Sequence, residues 1–213
     1  MRSCLFAMLS LAIAAGSSAA ASAQLATGRS GQSSTYYAGR EEALRDLTYF
    51  GRCYAKKNRD EALSLIATRP SSVEEAKVYA GLFRRDNLLC LSPGTTMSAP
   101  LSYVRGAIAE GLFLAEGRVP PSHALPAPTA SEVRNLSDAA RCYAAGHKDQ
   151  VQALLGTRVG SREEYDAVSA LMSDFAACLP AGVEANFDAT VIRFRLAEAL
   201  LRLRPGGASA AGQ

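Results

Sequence analysis

Tryptophan is missing from this 213-residue chain, and histidine occurs only twice. A catalytic histidine needs an oriented acid or nucleophile beside it. His123 sits among prolines, and His147 follows Gly146 at a helix end, so both read as surface groups. The chain also lacks G-x-S-x-G, H-E-x-x-H, P-loop, G-x-G-x-x-G and C-x-x-C-H signatures. That removes the motif-bearing hydrolases, zincins, nucleotide-binding folds and c-type haem proteins from consideration, and it implies no catalytic residue and no cofactor. No C-x-x-C turn is present to build a structural zinc site, so no metal is expected. Charge of one sign is scarce as well. The formal net charge is +3, and the bases are scattered among acids. A nucleic-acid partner is excluded on that ground. Beyond the N-terminus there is no apolar run of bilayer-spanning length, so the mature chain has no transmembrane segment.

What is present is helix-leaning. The apolar share is 48% and the charged share 20%, with Leu, Ala and Val leading the apolar set. The N-terminus carries a secretory signal. Arg2 supplies the positive region, Cys4 to Ala15 the apolar stretch, and Ala21-Ser22-Ala23 the small-residue cleavage site before Gln24. Residues 1–23 are therefore expected to be a removed signal peptide, and the protein to be periplasmic or secreted. Cys4 lies at the start of the apolar stretch, which excludes a lipoprotein anchor. Its removal leaves Cys53, Cys90, Cys142 and Cys178, an even set suited to disulfides in an oxidising compartment.

The second half repeats the first. Leu44-Arg45-Asp46-Leu47 matches Val133-Arg134-Asn135-Leu136, and Arg52-Cys53-Tyr54-Ala55 matches Arg141-Cys142-Tyr143-Ala144. Thr68-Arg69 matches Thr157-Arg158, and Ser72-Val73-Glu74-Glu75 matches Ser161-Arg162-Glu163-Glu164. After a one-residue slip, Asp86, Cys90-Leu91, Gly94, Arg105 and Ala109-Glu110 match Asp174, Cys178-Leu179, Gly182, Arg193 and Ala197-Glu198. Ordered matches of this kind mark an internal duplication. A single ancestral unit had one early and one late cysteine to join. The expected pairing is therefore Cys53–Cys90 and Cys142–Cys178, each worth about 3–4 kcal/mol in the chain-entropy model. Such a staple suits a small unit with a thin core.

Each copy reads as four helices. The first covers 40–57, with Leu44, Leu47, Gly51 and Tyr54 on one stripe. Its counterpart carries Val133, Leu136, Ala140 and Tyr143, starting after Ser131 as N-cap and stopping near Gly146. Short second helices follow over 60–67 and 149–155. The third helices open on capping boxes, Ser72 with Glu75 and Ser161 with Glu164. The fourth show stripes of Leu101, Val104, Ile108, Leu112 and Ala115, and of Ala189, Ile192, Leu196, Leu200 and Leu203. No convincing period-two alternation occurs. The expected fold is all-α: two tandem homologous four-helix units, 40–117 and 131–205, with one disulfide each. A Pro-rich linker, 118–130, joins them, and flexible tails cover 24–39 and 206–213.

Six charged residues recur at matched positions. Glu110 and Glu198 lie opposite the fourth-helix stripes, on the face least needed for packing. Arg105 and Arg193 lie at the stripe edges, where a stem covers apolar surface with its head in water. Arg52 and Arg141 precede the early cysteines. One reading makes these six a duplicated interaction surface. The other, favoured on simplicity, is structural: arginines pair with repeated acids such as Asp86 and Asp174, or cap helix ends. The paired acids Glu41-Glu42, Glu74-Glu75 and Glu163-Glu164 fall in first helical turns, where they complement the helix dipole.

The R-C-Y-A early cysteine, combined with the late C-L…G…R…A-E-[GA]-L segment, resembles uncharacterised exported proteins of alphaproteobacteria, particularly sphingomonads. The resemblance spans both repeats, about 40–204. It implies export and a repeat architecture and carries no catalytic residue. The expected function is a non-enzymatic binding or adaptor protein of the cell envelope, engaging an envelope protein or cell-surface component. The alternative is an enzyme with an unfamiliar active site in the cleft between the repeats, which requires a deep pocket there.

Overall fold

The computed structural model describes residues 26–29, 39–82, 90–91, 95–115, 124–180 and 187–203. The expected signal peptide, His123, Asp86, Gly94, Gly182, residues 118–123 of the Pro-rich segment and the 206–213 tail lie outside the described residues. The chain is mostly helical. In order come β1 (Ala26–Arg29), α1 (Arg40–Lys57), α2 (Arg59–Ala67), α3 (Val73–Leu82), β2 (Thr95–Ser98) and α4 (Leu101–Leu114). Then follow a 3-10 turn (Ala130–Glu132), α5 (Leu136–Gly146), α6 (Lys148–Gly156), α7 (Arg162–Ala176) and α8 (Ala189–Arg202).

The cysteines pair as the recurring early and late positions predict. Cys53–Cys90 spans 37 residues and Cys142–Cys178 spans 36, with Cα–Cα distances of 5.5 and 5.9 Å. All four thiols are thereby committed to sulfur–sulfur bonds. Each bridge ties the first helix of its half to the segment after the third.

The expected start of α5 needs correction. Ser131 does not cap it. Thr129 and Glu132 instead close a 3-10 turn through Thr129 N–H to Glu132 Oε2 at 2.8 Å. The helix begins after Asn135, whose side-chain oxygen accepts from Asp138 N–H at 3.0 Å. Ser131 lost because a second polar cap lay a turn further on, where Leu136 can point inward. The expected tail 24–39 is also interrupted. β1 pairs antiparallel with β2, Ala26 opposite Ser98 and Arg29 opposite Thr95. Backbone pairing here needs no apolar alternation, so the sequence carries no period-two signal for these strands. The end of the Pro-rich segment is docked: Leu125 N–H donates to Arg202 C=O at 2.8 Å, and Leu125 bridges Leu203.

α1 packs on α4, α4 on α8, and α8 on α5. The fourth helix of each half is thus sandwiched, with α4 and α8 forming the centre of the molecule. Small residues permit this. A Cβ on Gly51 would sit 2.3 Å from the Ala107 carbonyl carbon, and one on Gly111 2.5 Å from Gly51 O. At the α4–α8 crossing a Cβ on Gly106 would meet the Phe194 Cβ at 2.2 Å. Gly106 and Phe194 occupy matched positions in the two halves, so one large side chain fills the space that two would contest. Tyr103 meets the same ring edge-on at 5.9 Å. Two cores flank the crossing, one around Leu47, Phe50, Tyr54 and Ile108, the other around Tyr143, Leu154, Phe175 and Leu196.

Candidate functional site: buried arginine forks and the cavity beside them

The sandwich changes the meaning of the fourth-helix charges. Arg105, Glu110 and Arg193 are fully buried, and Glu198 is 4% exposed. The expectation that these four lie on an exposed surface is overturned. A helical wheel places them away from their own stripe, but the far face of α4 is covered by α8, and the far face of α8 by α4. The pairing is reciprocal. Arg105 Nε and Nη2 donate to Glu198 at 3.0 and 2.7 Å, while Arg193 Nε and Nη2 donate to Glu110 at 2.8 and 3.0 Å. Each guanidinium forks the carboxylate of the opposite half, the geometry in which Arg–carboxylate pairs are strongest.

The remaining donors turn back into their own half. Arg105 Nη1 and Nη2 reach Leu65 C=O, Ile66 C=O and Thr68 C=O at 2.8, 2.9 and 3.0 Å. Arg193 reaches Leu154 C=O and Leu155 C=O at 3.0 and 2.9 Å, and Thr157 Oγ1 at 3.0 Å. These carbonyls close α2 and α6 at helix C-termini that carry partial negative charge, where Leu65 and Leu154 also accept from the Thr68 and Thr157 N–H at 3.2 and 3.1 Å. One guanidinium therefore caps a helix within its half and pairs with an acid across the centre. Burial opposes the charge on Arg105, but Glu198 and Glu75 outweigh it and raise its pKa.

The capping-box glutamates join this network. Ser72 Oγ accepts from Glu75 N–H at 3.1 Å and Ser161 Oγ from Glu164 N–H at 3.2 Å. The carboxylates reach one residue further back than a standard box. Glu75 Oε2 accepts from Ser71 N–H at 2.6 Å, and Glu164 Oε2 from Gly160 N–H at 2.7 Å. Both donors have left-handed backbones, Ser71 at φ 63° and Gly160 at φ 74°. Glu75 Oε1 then meets Arg105 at 2.9 Å. Glu164 Oε1 stays 3.7 Å from Arg193 and has no hydrogen-bond partner among the described residues. Burial pushes the Glu164 pKa up, against the Gly160 N–H and Arg193.

Arg52 and Arg141 diverge despite their matched positions. Arg52 is half exposed and donates to Glu110 at 3.0 Å. Arg141 does not reach Glu198; Asp138, 2.8 Å away on its own helix, holds it instead. Glu198 is met by Arg195 at 3.5 Å and Arg202 at 3.3 Å. Burial works against the Glu198 charge, but Arg105, Arg195 and Arg202 hold its pKa below the ordinary carboxylate value. Neither Arg195 nor Arg202 stood out in the sequence, because their matched positions are Ala107 and Leu114 and no repeat signal marks them. His147 is the residue after α5 and stacks on Tyr143 at 4.4 Å.

Next to this end of the network lies a cavity of about 620 Å³. Its walls come from both halves: the α2–α3 turn with Arg69 and Ser71, Leu125, the start of α5 with Leu136 and Arg141, and the α8 face with Val191, Arg195, Glu198 and Arg202. The volume suits a small molecule. Family models, curated proteins and solved structures were compared with the chain, and none matches it.

Proposed function

We propose that the chain is an exported, non-enzymatic binding protein of the cell envelope, with the cavity between its two halves as the ligand site. The cavity carries this reading: it is roomy, lined from both halves, and walled by apolar side chains with a few convergent charged groups. The signal sequence and the two disulfides support an extracytoplasmic destination, and no helix among the described residues is long and apolar enough to cross a membrane. The matched disulfides, caps and reciprocal forks support descent from a duplicated unit. An envelope component reaches the protein through the cavity rather than through the six-residue surface, because four of those six side chains are covered. Binding also fits the chemistry better than proton transfer. Glu198, an acid of the cavity wall, is held ionised by arginines.

The test is native mass spectrometry of the full chain expressed with its signal and purified gently from the envelope fraction. The expected result is a mature chain beginning at Gln24 that carries a small-molecule adduct. Ser137→Trp, at the cavity wall, is expected to lose the adduct while keeping the fold. Retention of the same adduct by Ser137→Trp would place the ligand elsewhere, and a chain held in the cytoplasm with its signal intact would end the export reading.

A further inference from the structure

The two halves make an internal control for the charge around the cavity. At the matched place on the opposite side, each arginine meets a carboxylate. Arg158, the match of Arg69, lies 3.6 Å from Glu41, and Arg52, the match of Arg141, 3.0 Å from Glu110. Around the cavity the matched positions have changed toward positive charge. Ala130 stands where the first half has Glu41, so Arg69 has no ion-pair partner among the described residues. Arg195 stands for Ala107, Arg202 for Leu114 and the cavity residue Asn135 for Asp46; Asp138, in place of Tyr49, is the one change the other way at this wall.

Four guanidiniums, Arg105, Arg141, Arg195 and Arg202, consequently share three carboxylates, Glu75, Asp138 and Glu198, while Arg69 makes no ion pair among the described residues and acts only through space on the exposed Glu74. Two of the wall arginines are also incompletely hydrogen-bonded. The Nε–H groups of Arg141 and Arg202 are buried without a partner among the described residues. Arg202 itself is 8% exposed. A buried unpaired donor on a charged group is costly, and native proteins keep few of them. Arg202 accordingly has a lowered pKa: burial disfavours its charge, and Arg105 and Arg141 add to that against the pull of Glu198. The rest of the wall, with Leu125, Leu136, Val191 and Ala199, is apolar.

We infer that the cavity binds an organic oxyanion, a carboxylate or phosphate head on a small apolar body, with the head between Arg141, Arg195 and Arg202 and the body against the apolar wall. This rests on reading the cavity as the ligand site. An anionic head supplies the missing counter-charge and accepts the unused guanidinium donors once the side chains turn to it.

Calorimetric titration of the disulfide-bonded mature chain with octanoate, octyl phosphate and neutral octanamide tests the inference. Saturable binding of octanoate or octyl phosphate at up to millimolar concentration is expected, with octanamide weaker by about tenfold or more. The stronger of the two anions distinguishes a carboxylate from a phosphate ligand. The double variant Arg195→Ala/Arg202→Leu installs the residues of the first half and is expected to weaken anion binding by about tenfold. Ala130→Glu supplies the counter-ion that Arg69 lacks, leaves the buried network intact, and is expected to weaken it severalfold. Octanamide binding as well as octanoate would overturn the anion assignment while leaving a ligand site in place. Undiminished anion binding by Ala130→Glu and the double variant, or no anion binding at all, would overturn the inference. The adduct test with Ser137→Trp judges the cavity separately.

Discussion

Replacing Arg105 by methionine keeps much of the stem and removes the guanidinium. Glu198 loses its bidentate partner, Glu75 loses its only ion pair among the described residues, and the carbonyls of Leu65, Ile66 and Thr68 lose donors. An orphaned buried acceptor costs about 1–3 kcal/mol, so summing every group would overshoot. Three partners remain to absorb part of the loss. Arg195 and Arg202 still face Glu198, the Ser71 N–H still holds Glu75, and Arg202 lies 3.5 Å from the Thr68 carbonyl. The expected loss is therefore about 4 kcal/mol, within the range for breaking one side of a buried ion pair. Arg105→Lys keeps the charge but not the fork and is expected to lose about 2–3 kcal/mol. The pair Arg105→Met/Glu198→Met is expected to fall short of the summed single losses by about 1–3 kcal/mol, because the second change removes the acid that the first leaves stranded. Half-exposed Arg52→Ala should stay under about 1 kcal/mol. Urea denaturation followed by circular dichroism, with disulfides intact, measures these four and Glu198→Met alone. An Arg105→Met loss below about 1 kcal/mol, or strict additivity with Glu198→Met, would refute the claim that the cross-centre fork holds the halves together.

Gly106→Ala places a Cβ against the Phe194 side chain and is expected to cost about 1–3 kcal/mol, read as a lowered thermal midpoint. Ser71→Gly relaxes a left-handed backbone that Gly160 already occupies in the matched turn, so a gain of up to about 1 kcal/mol is expected; a loss would show that the Ser71 side chain matters more than its φ. The lowered pKa of Glu198 means that its ionised form stabilises the fold above the unfolded glutamate value of about 4.3, and that this contribution disappears as pH falls through the folded value. Glu164, with a raised pKa, acts in the opposite sense. The stability gap between wild type and Glu198→Gln isolates the first effect. It should be widest at neutral pH and shrink toward pH 3, and a gap that grows on acidification would reverse the assignment.

Where the structure departs from the sequence reading at the fourth-helix charges, the departures have a common source. Arg105 and Glu110 were placed by their angle to a stripe, which assumes that a helix has one buried side. α4 has two, since α1 and α8 cover opposite faces, and every residue from Val104 to Leu112 is buried. A signal for this was present. Gly106, Ala107, Ala109 and Gly111 give α4 small residues around its circumference, the mark of a helix packed from several directions. The recurrence of Thr68 and Thr157, and of Glu75 and Glu164, was equally visible, but no spacing rule links them to an arginine some thirty residues away.

The linear order of residues was enough to determine the helices, the Ser72 and Ser161 caps and the sulfur pairing, because each depends on neighbours within a turn or on a spacing that recurs in the two halves. Which charges meet was decided only when α4 crossed α8. Coulombic partners and hydrogen-bond acceptors are chosen by proximity in space, and in this molecule the decisive neighbours come from the opposite half. The cavity belongs to the same class of fact: its walls are assembled from a turn, a connector and two helices that share no local pattern, so only the docked halves bring its arginines together.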